Sequence, residues 1–397
     1  MAMALSGMKV LDLTQVMAGP FCCQLLGDLG ADVVKVEPIG LGDAARSGMG
    51  TKLPGGESSA FLAVNRNKRS IAVDLKTAEG RGLLHRMAAD ADVLVENFRP
   101  GVTSRLGIDY ETLKDVNPRL IYASISGFGQ DGPYASRPGY DLIAQAMSGV
   151  MSVTGEPGGE PVKTGIPIAD LSAGMFSVIG ILSAYVARDT SGTGQYIDVS
   201  LFESALALSI WETAELWATG EVPQPVGSAH RMSAPYQKLR TGNGDLVVGA
   251  NNQRLWTALC TALVREDLLA DERFGTNADR MRHREALARE LEKTLAGRGT
   301  DEWVELLLAA GVPAGPIRDY QQVCEDPHTL ARDMVVTMVH PVEGAVRALG
   351  IPIKLSGTPG AIRRPAPLLG EHTDELLAEA GFTSEESRDL RKSGAVG

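Results

Sequence analysis

Met8-Lys9-Val10-Leu11-Asp12-Leu13 is a short apolar run that stops before the Gly19-Pro20 break, as a strand entering a turn does. Beyond the break, Phe21, Leu25, Leu26 and Leu29 fall on one helical face, and Gly30 stands where a helix-ending glycine belongs. Val33, Val34 and Val36 then open a second apolar run. The reading is strand, helix, strand. Outward from this unit the alternation continues, with strands expected over 71–75, 93–95, 120–126 and 196–200 and helices over 78–89 and 110–116. Such alternation predicts an α/β fold with a mainly parallel sheet covered on both faces. One further helix is expected over 201–216, a strand over 349–354, and a last helix capped by Thr373.

Composition removes several classes of function. The 397 residues carry 38 Lys plus Arg against 49 Asp plus Glu, a net charge of −11, so a phosphate backbone is repelled unless basic residues are locally concentrated. Nucleic acid is therefore not an expected partner. Four cysteines, two of them the neighbours Cys22 and Cys23, are too few for a disulfide framework and suit a reducing compartment. The first ten residues have no signal-peptide pattern, so a cytoplasmic location is expected. The uncharged run 171–187 is short for a membrane span and broken by Gly174 and Gly180; it is read as a core helix, and no membrane partner is expected. The six histidines never fall three to five residues apart, and no metal is expected.

The obvious motif fails. A strand, turn, helix and second strand ending in Glu37 has the outline of a dinucleotide site, but Thr14-Gln15-Val16-Met17-Ala18-Gly19-Pro20 lacks G-x-G-x-x-G. G-x-S-x-G and the P-loop are absent too. One local exception to the negative charge is 63–76, where Arg66, Lys68, Arg69 and Lys76 face only Asp74. Asp170 directly precedes the uncharged run and reads as its N-cap, its carboxylate taking orphan amide protons.

Ordered strings carry a resemblance: Val10-Leu11-Asp12-Leu13, Ala18-Gly19-Pro20, Asn65-Arg66-Asn67-Lys68-Arg69, Glu96-Asn97-Phe98, Gly139-Tyr140-Asp141, Gly165-Ile166-Pro167-Ile168-Ala169-Asp170 and Leu369-Gly370-Glu371-His372-Thr373. Together they resemble the class III CoA-transferase family, also called CaiB/BaiF. Gly227-Ser228-Ala229-His230 and Gly249-Ala250-Asn251-Asn252-Gln253 are similar to members that move CoA between dicarboxylates. The resemblance implies a Rossmann-like large domain (1–222 and 326–397), a small α+β domain (223–325) and an interlocked homodimer. It also implies a CoA thioester and a small carboxylic acid as partners, with no cofactor beyond CoA itself. By the same resemblance Asp170 is the nucleophile, passing through an acyl anhydride and an aspartyl-CoA thioester. CoA is then expected to meet Gln15, Val16, Met17, Ala18, Val73, Lys76, Asn97, Phe98, Arg99, Arg105, Arg137 and Tyr140, with the basic run 63–76 taking its phosphates. Amides at the helix start are expected to take charge developing on the acyl oxygen, and 128–165 with 249–253 to supply covering loops. Two departures stand out. Pro38 replaces an arginine of the formyl-CoA members, leaving Arg137 or Lys76 to compensate. Tyr140 replaces the histidine of the α-methylacyl-CoA racemases, and a phenol is a poor base beside an imidazole. Arg231 and Arg254 are candidates for the distal carboxylate of the acceptor.

Overall fold

The computed structural model of the chain describes residues 2–397. Backbone contacts divide it into two compact units, one made of 2–150, 163–218 and 327–397, the other of 151–162 and 219–326. Segment 151–162 thus groups with the second unit, where the sequence reading had kept it in the large domain.

The first unit is built on a parallel sheet of six strands: β1 Lys9–Asp12, β2 Asp32–Glu37, β3 Lys68–Ala72, β4 Val93–Glu96, β5 Ile121–Ser126 and β6 Tyr196–Ser200, in the order β3-β2-β1-β4-β5-β6. One face carries α1 (Ala18–Asp28), α4 (Ile168–Ser191) and α5 (Leu201–Ala207); the opposite face carries α2 (Ala78–Ala88) and the C-terminal helices. Between α1 and α4 along the chain lie α2 and α3 (Asp141–Met147). Covered on both sides, Val93, Leu94 and Val95 are fully buried. Each such side chain contributes roughly 1.5–3 kcal/mol, so layer packing holds strands of only four residues. The strand order reverses between β1 and β4, and the crevice beyond the carboxyl ends of strands at such a point is where open α/β sheets bind ligands.

Four local readings change. β3 begins at Lys68 rather than Ile71, because its polar residues are buried with partners. The 201–216 helix is two pieces, α5 and Ile210–Thr219, separated where Leu208 and Ser209 donate to carbonyls three residues back and so tighten the turn. Strand 349–354 is displaced to Gly344–Leu349, which pairs antiparallel with Val335–His340; Pro352 has no amide to extend it. Thr373 is the first helical residue rather than the cap, its hydroxyl donating to the Gly370 carbonyl at 2.9 Å.

The second unit has a three-stranded antiparallel sheet (Tyr236–Arg240, Asp245–Gly249 and Ala314–Pro316). Helices pack on it around Trp256, Phe274, Leu291 and Trp303.

Candidate active site

A cleft of about 290 Å³ opens at the switch point, lined by Gln15 to Ala18 after β1, Asn97 to Pro100 after β4, Gly127 after β5, Arg137 to Tyr140, and Asp170. Two of its loops touch backbone to backbone: a Cβ on Gly127 would sit 2.8 Å from the Gly139 Cα, a space only glycine leaves. A larger cavity of about 860 Å³ in the same unit is mainly apolar. Its one acidic side chain, Glu343, is spent on the amides of Gly55 and Glu57.

The loop after β1 is fastened from below and from the side. Asn97 accepts from the Gln15 amide at 2.9 Å and donates to its carbonyl at 2.8 Å, pairing the β1 and β4 loops as a peptide would. Val16 has a φ of +74°, costly for a β-branched residue, and its amide donates to Asp43 at 3.0 Å. Beneath it lies a buried charge network. Lys35 bonds Asp43 (2.9 Å) and the Thr14 carbonyl (2.8 Å), and Lys68 bonds Asp12, the Pro20 carbonyl and Asn65. Burial works to raise the Asp12 carboxyl, but Lys35 and Lys68 outweigh it and hold it below the usual carboxylate range. α1 itself starts without a side-chain cap. Among the described residues the amides of Ala18 and Gly19 meet no acceptor.

α4 starts the opposite way. It begins at Ile168, so Asp170 is its third residue and not its N-cap. The cap comes from Asp141 at the start of α3, whose Oδ1 accepts from the amides of Ala169 (2.9 Å) and Asp170 (3.3 Å). The Ile168 and Leu171 amides bond the Ile166 and Pro167 carbonyls. The amides expected to steady the Asp170 carboxylate and receive acyl-oxygen charge are therefore already taken. No donor among the described residues reaches the Asp170 side chain. Burial, with repulsion from Asp141 added, pushes its carboxyl up to about 7. Glu96 below the cleft is also pushed up to about 7 by burial, but it is 2% exposed and its oxygens hold the Ser124 hydroxyl and the Phe98 amide. Among the described residues only Asp170 combines a raised carboxyl with an open face on the cleft.

The family model described as CoA-transferase family III matches residues 5–373. The chain belongs to CoA-transferase family III. It is 38% identical to human succinyl-CoA:glutarate CoA-transferase over 94% of this chain and 85% of that protein. To the acetyl-CoA:oxalate CoA-transferase of Acetobacter aceti it is 43% identical over 94% and 95%. The crystal structure of a CaiB/BaiF family protein from Brucella suis superposes with a TM-score of 0.86 at 40% identity, covering 96% of this chain and all of that one.

In this family III CoA-transferase the cleft gathers ten of the thirteen site residues expected from sequence, namely Gln15, Val16, Met17, Ala18, Asn97, Phe98, Arg99, Arg137, Tyr140 and Asp170 itself. Val73, Lys76 and Arg105 lie outside its lining. Val73 is 2% exposed in the core beneath α2, whereas Lys76 and Arg105 are on the surface. The basic run is not a phosphate patch, which corrects the reading of 63–76. Arg66 pairs with Asp28, Lys68 with Asp12, and Arg69 with Asp32, Glu375 and Glu379, all three cations being buried. Their work is structural: Lys68 carries the β1 to α1 loop that the cleft uses. Exposed positive charge at the cleft comes from Arg99 and Arg137, the latter stacked on Tyr134 at 3.8 Å. Arg231, Arg254 and loop 249–253 belong to the second unit. Asp141, Glu96 and the Gln15–Asn97 pairing were not singled out from sequence as site features. For Asp141 the Gly-Tyr-Asp string was the available signal.

Proposed function

We propose that this enzyme moves CoA from an acyl-CoA donor such as succinyl-CoA to a dicarboxylic acid, with Asp170 as the covalent nucleophile. The observation that carries this reading is the Asp170 carboxylate: it lines the switch-point cleft, has no donor among the described residues, and is pushed up to about 7 by burial. A carboxylate stripped of donors is more basic than one in water and so a better nucleophile.

An Asp170 oxygen attacks the thioester carbon, the C–S bond breaks, and CoA leaves as thiolate with its electron pair. The thiolate then attacks the Asp170 carbonyl of the mixed anhydride, releasing the donor acid as carboxylate and leaving an aspartyl-CoA thioester. The acceptor carboxylate attacks that thioester, thiolate leaves again, and its return to the acceptor acyl carbon frees Asp170. Nothing is oxidised and no net proton moves. The Ala18 amide, which lies at the cleft and meets no acceptor, is the donor best placed for the oxyanion of these steps, in place of those of α4. Arg99 and Arg137 supply charge for CoA phosphates, and Tyr140, 67% exposed, flanks the thioester end.

Relatives named for succinyl-CoA, glutarate and oxalate support a short dicarboxylate as acceptor. A homodimer is part of the proposal: α4 leaves Met175, Phe176, Ile179 and Val186 exposed on one side, an apolar face that a second copy would cover. A cytoplasmic site accords with four cysteines that are all free. The test is initial rates with succinyl-CoA against oxalate, malonate, succinate, glutarate and itaconate, with the acyl-CoA products identified. Parallel double-reciprocal lines and transfer to one or more of these acids are expected. Hydrolysis alone, or α-proton exchange in heavy water without transfer, would refute the reading.

A further inference from the structure

We infer that Asp141 is a positioning residue for CoA transfer: from α3 it clamps the first turn of α4 and, through Gln145 and Thr164, fixes the chain that delivers Asp170 to the cleft. The inference rests on Asp170 being the nucleophile.

A helix-capping carboxylate is usually supplied from within a few residues of the helix start. Here it comes from 28 residues upstream, and its two oxygens have separate tasks. Oδ1 takes the Ala169 and Asp170 amides, while Oδ2 accepts from the Gln145 side-chain amide at 2.6 Å. Gln145, fully buried, then accepts through Oε1 from the Thr164 amide (2.9 Å) and hydroxyl (3.1 Å). Thr164 Oγ1 also lies 2.7 Å from the Ile166 carbonyl, two residues before α4. The run from Thr164 to Asp170 is thus tied to α3 at both ends. A carboxylate is the one side chain that can accept on both sides of this relay, from two backbone amides and from the Gln145 NH₂.

The clamp has an electrostatic consequence. Tying the Asp170 amide to an anion removes the donors that a helix start normally offers a carboxylate, and it places a like charge beside the nucleophile. Burial is the larger cause of the raised Asp170 carboxyl, and Asp141 is the second. Other titratable groups in the cleft are Tyr140, Arg99 and Arg137. α1 and α5, packed against α4, bring Ala18 and Leu201 to it. Asp198 on β6 and Glu203 on α5 are engaged by the Gln130 amide and the Ser200 hydroxyl.

The experiment measures the single-turnover rate of Asp170 acylation by succinyl-CoA from pH 5 to 9 in the full-length enzyme. It compares wild type with Asp141→Asn and Gln145→Leu. Asp141→Asn keeps an oxygen for the two α4 amides but loses the charge. Its acid limb is expected to move down by on the order of 0.5–1 pH unit, and its plateau to fall by roughly 10-fold as the relay to Gln145 reverses polarity. Gln145→Leu retains the charge but cuts the brace, so its plateau falls while its acid limb stays in place. An Asp141→Asn limb and plateau that superimpose on wild type would overturn the inference. So would a Gln145→Leu enzyme with the wild-type plateau, which remains measurable if Asp141→Asn does not fold. Wild-type enzyme that turns over without acylating Asp170 would instead sink the nucleophile reading itself, and the two failures are told apart by which enzyme departs.

Discussion

Two helices begin at the same cleft, and they begin differently. α1 opens with uncapped amides at Ala18 and Gly19, held in place from below by Lys35, Lys68, Asp12 and Asp43. α4 opens with the Ala169 and Asp170 amides committed to Asp141, so the backbone of Asp170 is itself held by that cap. In the proposed mechanism the first arrangement leaves donors for a negative charge that appears only during reaction. The second denies donors to the carboxylate proposed as nucleophile. Ground-state stabilisation of the attacking carboxylate would work against catalysis, whereas preorganised donors for the oxyanion favour it. The contrast divides the labour between the two helix starts.

Breaking the α4 side has the largest expected effect. Asp170→Asn should lower kcat/KM by on the order of 10⁴-fold or more, read from initial rates, because the covalent route closes. Breaking the foundation of the α1 side comes next. Lys68→Met leaves Asp12 buried beside one cation fewer, and denaturant unfolding should show a loss of roughly 3–5 kcal/mol. Residual activity then follows the folded fraction.

The third prediction concerns stability and pH. A folded-state carboxyl at about 7 against an ordinary value of 3.8 binds its proton more tightly in the fold than in the unfolded chain. Its favourable contribution is complete below about pH 4 and is lost as pH rises through 7. Asp170→Asn should therefore be more stable than wild type by roughly 2–4 kcal/mol at pH 8, with the difference vanishing near pH 4. Unfolding curves at the two pH values check the sign. The smallest effect belongs to Val16→Gly. Relieving the +74° backbone should offset the entropy cost of glycine to within ~1 kcal/mol, while loosening of the loop lowers kcat several-fold. Equal loss of both would mean that the strain has no role in the α1 side.

Much of the scaffold was legible because its signals are local. The apolar alternation from Met8 to Glu37, the strand 196–200 and the helix 110–116 all stand where periodicity puts them. What was hidden depends on distant partners. Lys68 and Arg69 read as part of a phosphate-binding run because nothing in 63–76 announces Asp12, Asp32 or Glu375 as their counter-ions. Asp170 read as its own helix cap because the real cap, Asp141, lies 29 residues away and meets it only once α3 is packed on α4. The Gln15 to Ala18 and Asn97 to Arg99 loops were named from resemblance. The strand order supplies the physical reason that they meet, since β1 and β4 are neighbours at the reversal of the sheet.

The central claim, that Asp170 becomes covalently activated, is most directly tested by mass spectrometry of the enzyme incubated with succinyl-CoA and then quenched with hydroxylamine. A hydroxamate on the peptide carrying Asp170, absent without succinyl-CoA, is the predicted result. An unmodified Asp170 in an enzyme that is turning over, or an adduct on another residue, would contradict the account.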